Sequence, residues 1–212
     1  MTHDDSAFAA LGALSEPVRR HLYRYVAAQP DDVGRDAAAE AVGVSRSLAA
    51  FHLDKLVEAG LLTASSRRLS GRTGPGAGRP AKVYRRAEEE HSVSLPPRSY
   101  DTAAGLLASL VENAGLDREL QDAARAAGAA GADAGADDLV KVLAARGYQP
   151  YWDEGTLRLR NCPFHALAEE FPALICGMNL ALLEGVASDA WAPAMDPCPG
   201  GCCVSLSRRE ES

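Results

Sequence analysis

The five cysteines of this 212-residue chain all lie in its final quarter, and this limits what the second half can be. Cys198, Cys202 and Cys203 fall within six positions, in "DPCPGGCCVSL", while Cys162 and Cys176 lie upstream. Free cysteines that only fill a core would be scattered through it. We therefore expect the second half to bring thiols together at one site.

Charge divides the chain into two regions. Residues 1–86 carry 13 Lys and Arg against 9 Asp and Glu, whereas residues 87–212 carry 9 against 20. This asymmetry indicates a polyanion as a partner of the first region only. Between the two regions, "AEEEHSVSLPPRSY" combines an acidic run with a proline pair, which is typical of a linker. The pattern predicts a first domain at 1–87, a linker at 88–98 and a second domain at 99–212.

The sequence also indicates where the protein works. It contains no apolar run of about 18 residues, so no membrane span is expected. Its start, "MTHDDSAFAALGAL", lacks the basic stretch and long apolar run of a signal peptide. We expect a cytoplasmic protein, in which a cysteine cluster indicates metal binding or redox chemistry before a structural disulfide.

Three helices are predicted in the basic region. Ser15 is the expected cap of the first, "EPVRRHLYRYVAAQP", and "RDAAAEAVG" forms a short second helix. The third, "VSRSLAAFHLDKLVEAGLL", is capped by Ser45. Its buried stripe is predicted at Ala49, Leu53 and Leu56, which follow the i, i+4, i+7 spacing of one helix face.

The opposite face of this third helix has an unusual composition: it carries Ser47, Phe51 and Asp54, flanked by Leu48, Ala50 and Lys55. An exposed phenylalanine on so short a helix needs a partner. One interpretation is a contact with a neighbouring helix. The other is a helix in the DNA major groove, where apolar side chains meet thymine methyls and polar ones meet base edges.

A basic segment, Leu61 to Arg86, follows this helix with seven cations and no acid. Its centre, "SGRTGPGAGRP", predicts a loop between two short strands, "LLTASSRR" and "AKVYRR". Such a hairpin beside a helix of groove size indicates contact with phosphates. The residues expected to contact DNA are Ser45, Arg46, Ser47, Leu48, Ala50, Phe51, Lys55, Arg67, Arg68, Arg72, Arg79, Lys82 and Arg85.

These residues resemble those of a known family. "GVSRSLAAFHLDKLVEAGLL" followed by "GRPAKVYRR" resembles the winged helix-turn-helix of bacterial transcription regulators related to the ArsR type. The resemblance covers roughly residues 8–86. It implies binding to a double-stranded DNA operator and does not indicate which signal is sensed.

The acidic region is predicted to be a small α+β domain. Helices over "YDTAAGLLASLVENAG" and "DDLVKVLAARGY" precede a hairpin in "QPYWDEGTLRLRN", a helical stretch and a final strand, "CCVSLS". The fold class expected for the chain is α+β, with an N-terminal winged helix-turn-helix domain and a small C-terminal cysteine-containing α+β domain. The helix from Asp101 to Ala114 has an apolar stripe. We therefore expect the protein to form a homodimer through this helix.

The candidate metal ligands are Cys162, Cys176, Cys198, Cys202 and Cys203. Their spacing, C-x13-C-x21-C-x3-C-C, lacks the paired C-x2-C of structural zinc sites, whereas iron–sulfur clusters accept more variable spacings. If the last strand extends back to Cys202 and Cys203, their side chains point to opposite faces of the strand. This alternation favours Cys203 as a ligand. Either Cys202 or Cys198 then supplies the fourth ligand, with His165 as the non-thiolate candidate.

The acidic region adds a second resemblance. "NCPF", "CGMNLALLEG" and "PGGCCV", joined to that winged helix, resemble the SufR branch of regulators. The resemblance implies an iron–sulfur cluster held by cysteines of the C-terminal domain, a homodimer, and a repressor of iron–sulfur assembly genes when the cluster is bound.

Other functions are open. The cysteines could hold zinc, structural or regulatory, or act as a thiol switch, and Cys162 and Cys176 could be small buried hydrophobes. Cys202 or Cys203 as the nucleophile of an enzyme would need a positioned base. His165 and His91 are the only downstream histidines, and neither comes with a recognisable triad partner. We therefore do not expect an enzyme.

Overall fold

The structure is a computed structural model that describes residues 3–67, 80–130, 139–187, 189–198 and 200–209. The chain divides into two compact units, Met1–Arg98 and Ser99–Ser212. The fold is α+β, as predicted, with helices and two small antiparallel sheets. None of the helices in this described part combines the length and apolar character of a transmembrane span.

The described part of the first unit contains helices and a three-stranded sheet. Its elements in chain order are α1 (His3–Ala13), α2 (Pro17–Ala27), β1 (Val33–Gly34), α3 (Arg35–Val42), α4 (Arg46–Glu58), β2 (Leu62–Arg67) and β3 (Ala81–Arg86). The sheet order is β1-β3-β2, and β2 pairs with β3 from Leu62–Arg86 to Arg67–Ala81. Both predicted strands are confirmed, whereas the two-residue strand β1 is too short to leave a pattern.

Helix α2 begins differently from the sequence expectation. Ser15 was predicted as its cap, but the carboxylate of Glu16 accepts the N–H groups of Val18 and Arg19, at 3.2 and 2.6 Å. The Ser15 hydroxyl donates instead to the carbonyl of Gly12. The Ser15 prediction is therefore wrong, because the longer acidic side chain satisfies two free N–H groups at once. The hydrogen bond from Arg19 holds the pKa of Glu16 below its usual range.

The core of the first unit follows the predicted stripe of α4. Ala49, Leu53 and Leu56 are completely buried, and Leu22 of α2 is buried in the same cluster. His52, which the pattern did not single out, is buried beside them. Three residues, 43–45, join α3 to α4; Gly43 has a φ of 72°, and the Ser45 hydroxyl accepts the N–H of Leu48 as predicted.

The described part of the second unit contains helices and a four-stranded sheet. Its elements are α5 (Tyr100–Ala114), α6 (Asp117–Ala129), α7 (Leu139–Ala145), β4 (Pro150–Asp153), β5 (Thr156–Leu159), α8 (His165–Glu170), α9 (Pro172–Val186), β6 (Trp191–Met195) and β7 (Val204–Arg208). The antiparallel sheet has the order β4-β5-β7-β6. The predicted hairpin is confirmed, and its turn uses positive φ angles at Glu154 and Gly155.

Helices α6 and α9 cross in direct backbone contact. A Cβ atom on Gly128 would collide with the carbonyl of Leu182, and one on Gly185 with the carbonyl of Arg125. Only glycine permits so close an approach. This contact fixes the position of α9, the helix that carries Cys176.

Candidate functional site

Helix α4 presents an exposed face of mixed chemistry. Phe51 is 56% exposed and Leu48 is 40% exposed, and Ser47 is exposed beside them. The Phe51 ring meets the buried imidazole of His52 edge-on, with centroids 5.2 Å apart. More than half of the Phe51 surface therefore faces solvent. Ala50, also predicted to contact DNA, is half-buried.

The predicted DNA-contacting cations are paired with carboxylates. The pairs within the described residues are Arg46–Asp36 (2.8 Å), Lys55–Glu58 (2.6 Å), Arg67–Asp32 (3.0 Å), Lys82–Asp54 (2.8 Å) and Arg85–Asp32 (2.9 Å). The expectation of a hairpin without counterions is wrong, because Asp32 and Asp54 come from outside the acid-free segment. Arg68, Arg72 and Arg79 lie outside the described residues.

These ion pairs leave the cations available. Exposed pairs are worth at most about 1 kcal/mol each, so phosphate oxygens can replace the carboxylates. Asp32 differs from the other acids because its side chain is only 12% exposed while it holds both Arg67 and Arg85. The hairpin is therefore held in place by an acid that the sequence pattern did not reveal.

Asp54 joins α4 to the hairpin. It accepts hydrogen bonds from Lys82 (2.8 Å) and from the hydroxyl of the fully buried Tyr84 (2.6 Å), and Arg35 lies 3.4 Å away. Although burial opposes it, the bonds from Lys82 and Tyr84 hold the pKa of Asp54 below its usual range. Burial, followed by the bond to Asp54, raises the pKa of Tyr84 to about 12. Asp54 thus anchors α4 to the β2–β3 hairpin.

In the second unit, the cysteines come from three separate parts of the chain. Cys162 follows β5, Cys176 lies in α9, and the other three lie in the connection between β6 and β7. All five are free thiols. Strand β7 begins at Val204, so the predicted strand alternation does not reach Cys202 and Cys203, and both can take part in the site.

Four of the thiols interact in two pairs. The Sγ atoms of Cys176 and Cys203 are 3.0 Å apart. Cys162 and Cys202 each shift the pKa of the other, and Cys202 also raises the pKa of Cys176, which links the two pairs. Strand alternation favoured Cys203 and left Cys202 or Cys198 as the fourth ligand; the loop turns the Cys202 thiol inward, where Cys202 is 2% exposed.

The protonation of these thiols is set by their burial and by each other. The hydrogen bond from Cys162, supported by the N–H of Val204 and the Asn179 amide, lowers the pKa of Cys202 to about 7. The same contact, with burial, raises the pKa of Cys162. Burial and Cys203 raise the pKa of Cys176 to about 12. The group holds one thiolate readily and opposes a second, unless a cation neutralises it.

Backbone contacts fix the loop that carries the last cysteines. The N–H of Cys202 donates to the carbonyl of Leu159 (2.8 Å), and the N–H of Asp196 donates to the carbonyl of Cys203 (2.7 Å). At Gly201, a Cβ atom would lie 2.6 Å from the Sγ of Cys198 and 3.2 Å from the Leu159 carbonyl. A side chain at Gly201 would therefore displace the Cys198 thiol and crowd β5.

The two remaining candidates lie apart from this pairing. The Cys198 thiol points to the carbonyl of Cys202, at 3.9 Å. The imidazole of His165 is 64% exposed and lies 3.5 Å from Glu169. The geometry thus brings together Cys162, Cys176, Cys202 and Cys203. We call these four residues the thiol quartet.

Thiolates are the protein ligands of zinc and of iron–sulfur clusters. Among the described residues, no group of three or more His, Cys, Asp or Glu side chains is placed so that it could hold a metal ion. An iron–sulfur cluster contains more than one iron, so its four thiolate ligands need not converge on one point.

Sequence reasoning missed two residues of this site. Asn179, 2% exposed, donates from Nδ2 to the Sγ of Cys202 at 3.2 Å, and Tyr148, also 2% exposed, donates its hydroxyl to Oδ1 of Asn179 at 2.5 Å. The signal was present, since Asn179 is the one polar side chain between Pro172 and Leu183.

No protein-family model matches the chain, and no curated protein sequence matches it.

Proposed function

We propose that the chain is a DNA-binding transcription regulator, acting as a repressor, whose second unit holds an iron–sulfur cluster and senses iron–sulfur or redox status. It acts as a cytoplasmic homodimer and is not an enzyme. The single observation that carries the proposal is that one chain combines the exposed face of α4, beside a basic hairpin, with the thiol quartet. The α4 face and hairpin suit DNA, whereas the thiol quartet suits a cofactor. A transcription regulator that senses its cofactor binds both.

The first unit supports the DNA-binding half through its element order. Helices α3 and α4 are joined by a three-residue turn containing Gly43, and the β2–β3 hairpin follows directly, which is the order of a winged helix-turn-helix. In that arrangement α4 enters the major groove with Ser47, Leu48 and Phe51 towards base edges. The hairpin cations meet the phosphate backbone.

The second unit supports the sensing half through the quartet. Cys162, Cys176, Cys202 and Cys203 are the ligands we assign to the cluster, which supplies redox chemistry and lability towards oxidants when bound. The protein residues hold the thiols in two pairs, exclude water around Cys202, and fix the loop against β5. Because these ligands belong to three separate parts of the unit, losing the cluster loosens the whole sheet.

Dimerisation follows from the size of the DNA contact. A single recognition helix reads only a few base pairs, so specific binding calls for two copies on a palindrome. Leu106, Leu107 and Leu110 on α5 are 70, 63 and 65% exposed and form the candidate dimer face. A monomer in sedimentation at micromolar concentration, with the cluster bound, would contradict this part of the proposal.

The experiment that tests the proposal begins with anaerobic purification and assay of iron, sulfide and visible absorbance. The same preparation is then used to select duplexes from a random DNA pool. We expect a coloured protein with iron and sulfide, and a selected palindromic duplex. A colourless protein without iron that still selects a duplex would support the DNA-binding part of the proposal and contradict the iron–sulfur cluster.

A second candidate, a thiol switch of the same fold, is favoured by one observation. The Sγ atoms of Cys176 and Cys203 lie 3.0 Å apart, between the S–S bond of about 2.05 Å and the roughly 3.8 Å expected for two thiolates on one tetrahedral zinc. Hydrogen peroxide would take one hydrogen atom from each thiol, giving a disulfide and two waters. A Cys176–Cys203 cross-link in mass spectra of cluster-free protein that releases DNA would favour this candidate.

A further inference from the structure

A buried amide approaches one sulfur of the thiol quartet. Asn179 lies in α9, three residues after Cys176, so the two side chains project from the same face of the helix. Its Nδ2 is 3.2 Å from the Sγ of Cys202, and its Oδ1 accepts the hydroxyl of Tyr148. Both polar ends of the amide are therefore used by specific partners inside the core.

The position of Asn179 needs an explanation because burial of an amide is costly. The remaining residues of α9 up to Leu183 are apolar, and a leucine of similar size would fill the same space without a hydrogen-bonding requirement. Within the part of the chain that the structure describes, the amide is compensated by Cys202 on one side and Tyr148 on the other. A buried polar group with such partners is retained for what it does to them.

The direction of the hydrogen bonds follows from the chemistry of a bound thiolate. A coordinating sulfur carries no proton and can only accept, so the N–H end of the amide must face Cys202. The carbonyl end then faces Tyr148, whose hydroxyl must donate. One consistent chain results: Tyr148 to Asn179 to Cys202.

We infer that Asn179, held by Tyr148, is a positioning residue that orients and polarises Cys202 as a cluster ligand. This inference rests on the proposed function. A hydrogen bond to a ligand sulfur stabilises negative charge there, and hydrogen bonds to the sulfurs are among the features that set cluster potentials. Outer-shell partners of metal ligands also contribute to retention, typically by about 10- to 100-fold in affinity.

The test compares full-length variants reconstituted anaerobically with ferrous iron and sulfide. Asn179→Leu removes both hydrogen bonds, Tyr148→Phe removes only the hydroxyl that holds the amide, and Met178→Leu is the matched control on α9. Met178 packs in the separate apolar cluster around Leu174, and its change conserves volume. The readouts are the midpoint potential in a dye-mediated titration and the rate of iron loss to a chelator.

We expect Asn179→Leu to shift the midpoint potential to more negative values and to lose iron roughly tenfold faster or more. Tyr148→Phe should shift both readouts in the same direction by less, and Met178→Leu should match the wild type. Unchanged potential and iron loss in Asn179→Leu, or equal changes in Met178→Leu, would overturn the inference while leaving the proposed function intact. If Asn179→Leu does not fold, judged by its circular dichroism, Tyr148→Phe decides.

A separate measurement tests the inference if the protein binds zinc. If the wild type holds Zn²⁺ and no cluster, the proposed cluster fails, and competition with a chromophoric chelator replaces the potential. Asn179→Leu should then weaken Zn²⁺ binding about 10- to 100-fold, and equal affinity would overturn the inference. A wild type that binds neither iron with sulfide nor Zn²⁺ would overturn both the inference and the proposed function.

Discussion

The α4–hairpin surface of the first unit and the thiol site of the second treat their polar groups in opposite ways. In the first, the cations of the α4 and hairpin surface are exposed or half-exposed, and each described pair is formed with a carboxylate of the same unit. In the second, Cys202, Asn179 and Tyr148 are almost completely buried. Exposed ion pairs exchange partners at little cost, whereas buried polar groups are expensive to leave unpaired. Substitutions should therefore have smaller effects on the cation surface of the first unit than on the buried thiol site of the second.

The largest effect is expected in the thiol quartet. Cys162→Ser and Cys176→Ser should each lose essentially all iron, because a hydroxyl is a poor ligand for iron and each pair would be broken. The measurement is iron and sulfide content after anaerobic purification. Cys198→Ser is the matched control and should retain iron, since its thiol lies outside both pairs. Iron loss in Cys198→Ser as well would make Cys198 a ligand and contradict the assignment of the quartet.

The next effect separates the two faces of α4. Leu53→Ala should lower the free energy of unfolding by about 2–5 kcal/mol, because Leu53 is completely buried. Phe51→Ala should change that free energy far less and instead alter which duplex is preferred, costing about 1–3 kcal/mol at the affected base pair. Urea unfolding and competition among duplexes measure the two quantities. An unchanged duplex ranking in Phe51→Ala would contradict the groove assignment.

Sequence patterns predicted the elements of both units better than their connections. The buried stripe Ala49–Leu53–Leu56 and the hairpin turn at Glu154 and Gly155 follow from periodicity and turn chemistry, which are local. Asp32 was missed because its partners, Arg67 and Arg85, are distant in the chain. Pairing between distant elements leaves no local pattern.

The same limit applies to the thiols. Their clustering in the sequence predicted a common site, but the argument from strand alternation assumed that the last strand reached Cys202 and Cys203. The strand begins at Val204, because the backbone of Cys202 bonds to Leu159 and Gly201 packs against Cys198. Which thiols pair was therefore decided by a glycine loop, whose path periodicity does not describe.

A smaller effect is expected from the hairpin. Arg85→Ala should weaken binding to all duplexes to a similar degree and reduce the slope of log affinity against log salt by about 1, since one phosphate contact is lost. Titrations of selected and unrelated duplexes at several salt concentrations measure this. Arg118→Ala, which removes an exposed cation from α6, is the charge-matched control. A loss restricted to the selected duplex would mean that Arg85 reads bases.

The smallest effect concerns the anchor of α4. Because the folded-state pKa of Tyr84, about 12, lies above its ordinary value of 10.0, its protonated form contributes stability that is complete below pH 10 and is lost as the pH rises through 12. The stability difference between wild type and Tyr84→Phe should shrink across that interval. Urea unfolding at several pH values measures it, with Tyr100→Phe, 73% exposed, as control. A stability difference that does not change with pH would contradict the role of the Tyr84 hydroxyl in anchoring α4.

The central claim is that the buried thiol site controls the exposed DNA-binding surface. It is tested most directly by the affinity of cluster-loaded and stripped protein for the selected duplex, measured anaerobically at one salt concentration. The account predicts at least about tenfold tighter binding by the loaded protein, a coupling of roughly 1.4 kcal/mol or more. Equal affinity of the two forms would contradict it and leave a DNA-binding protein with a structural thiol site.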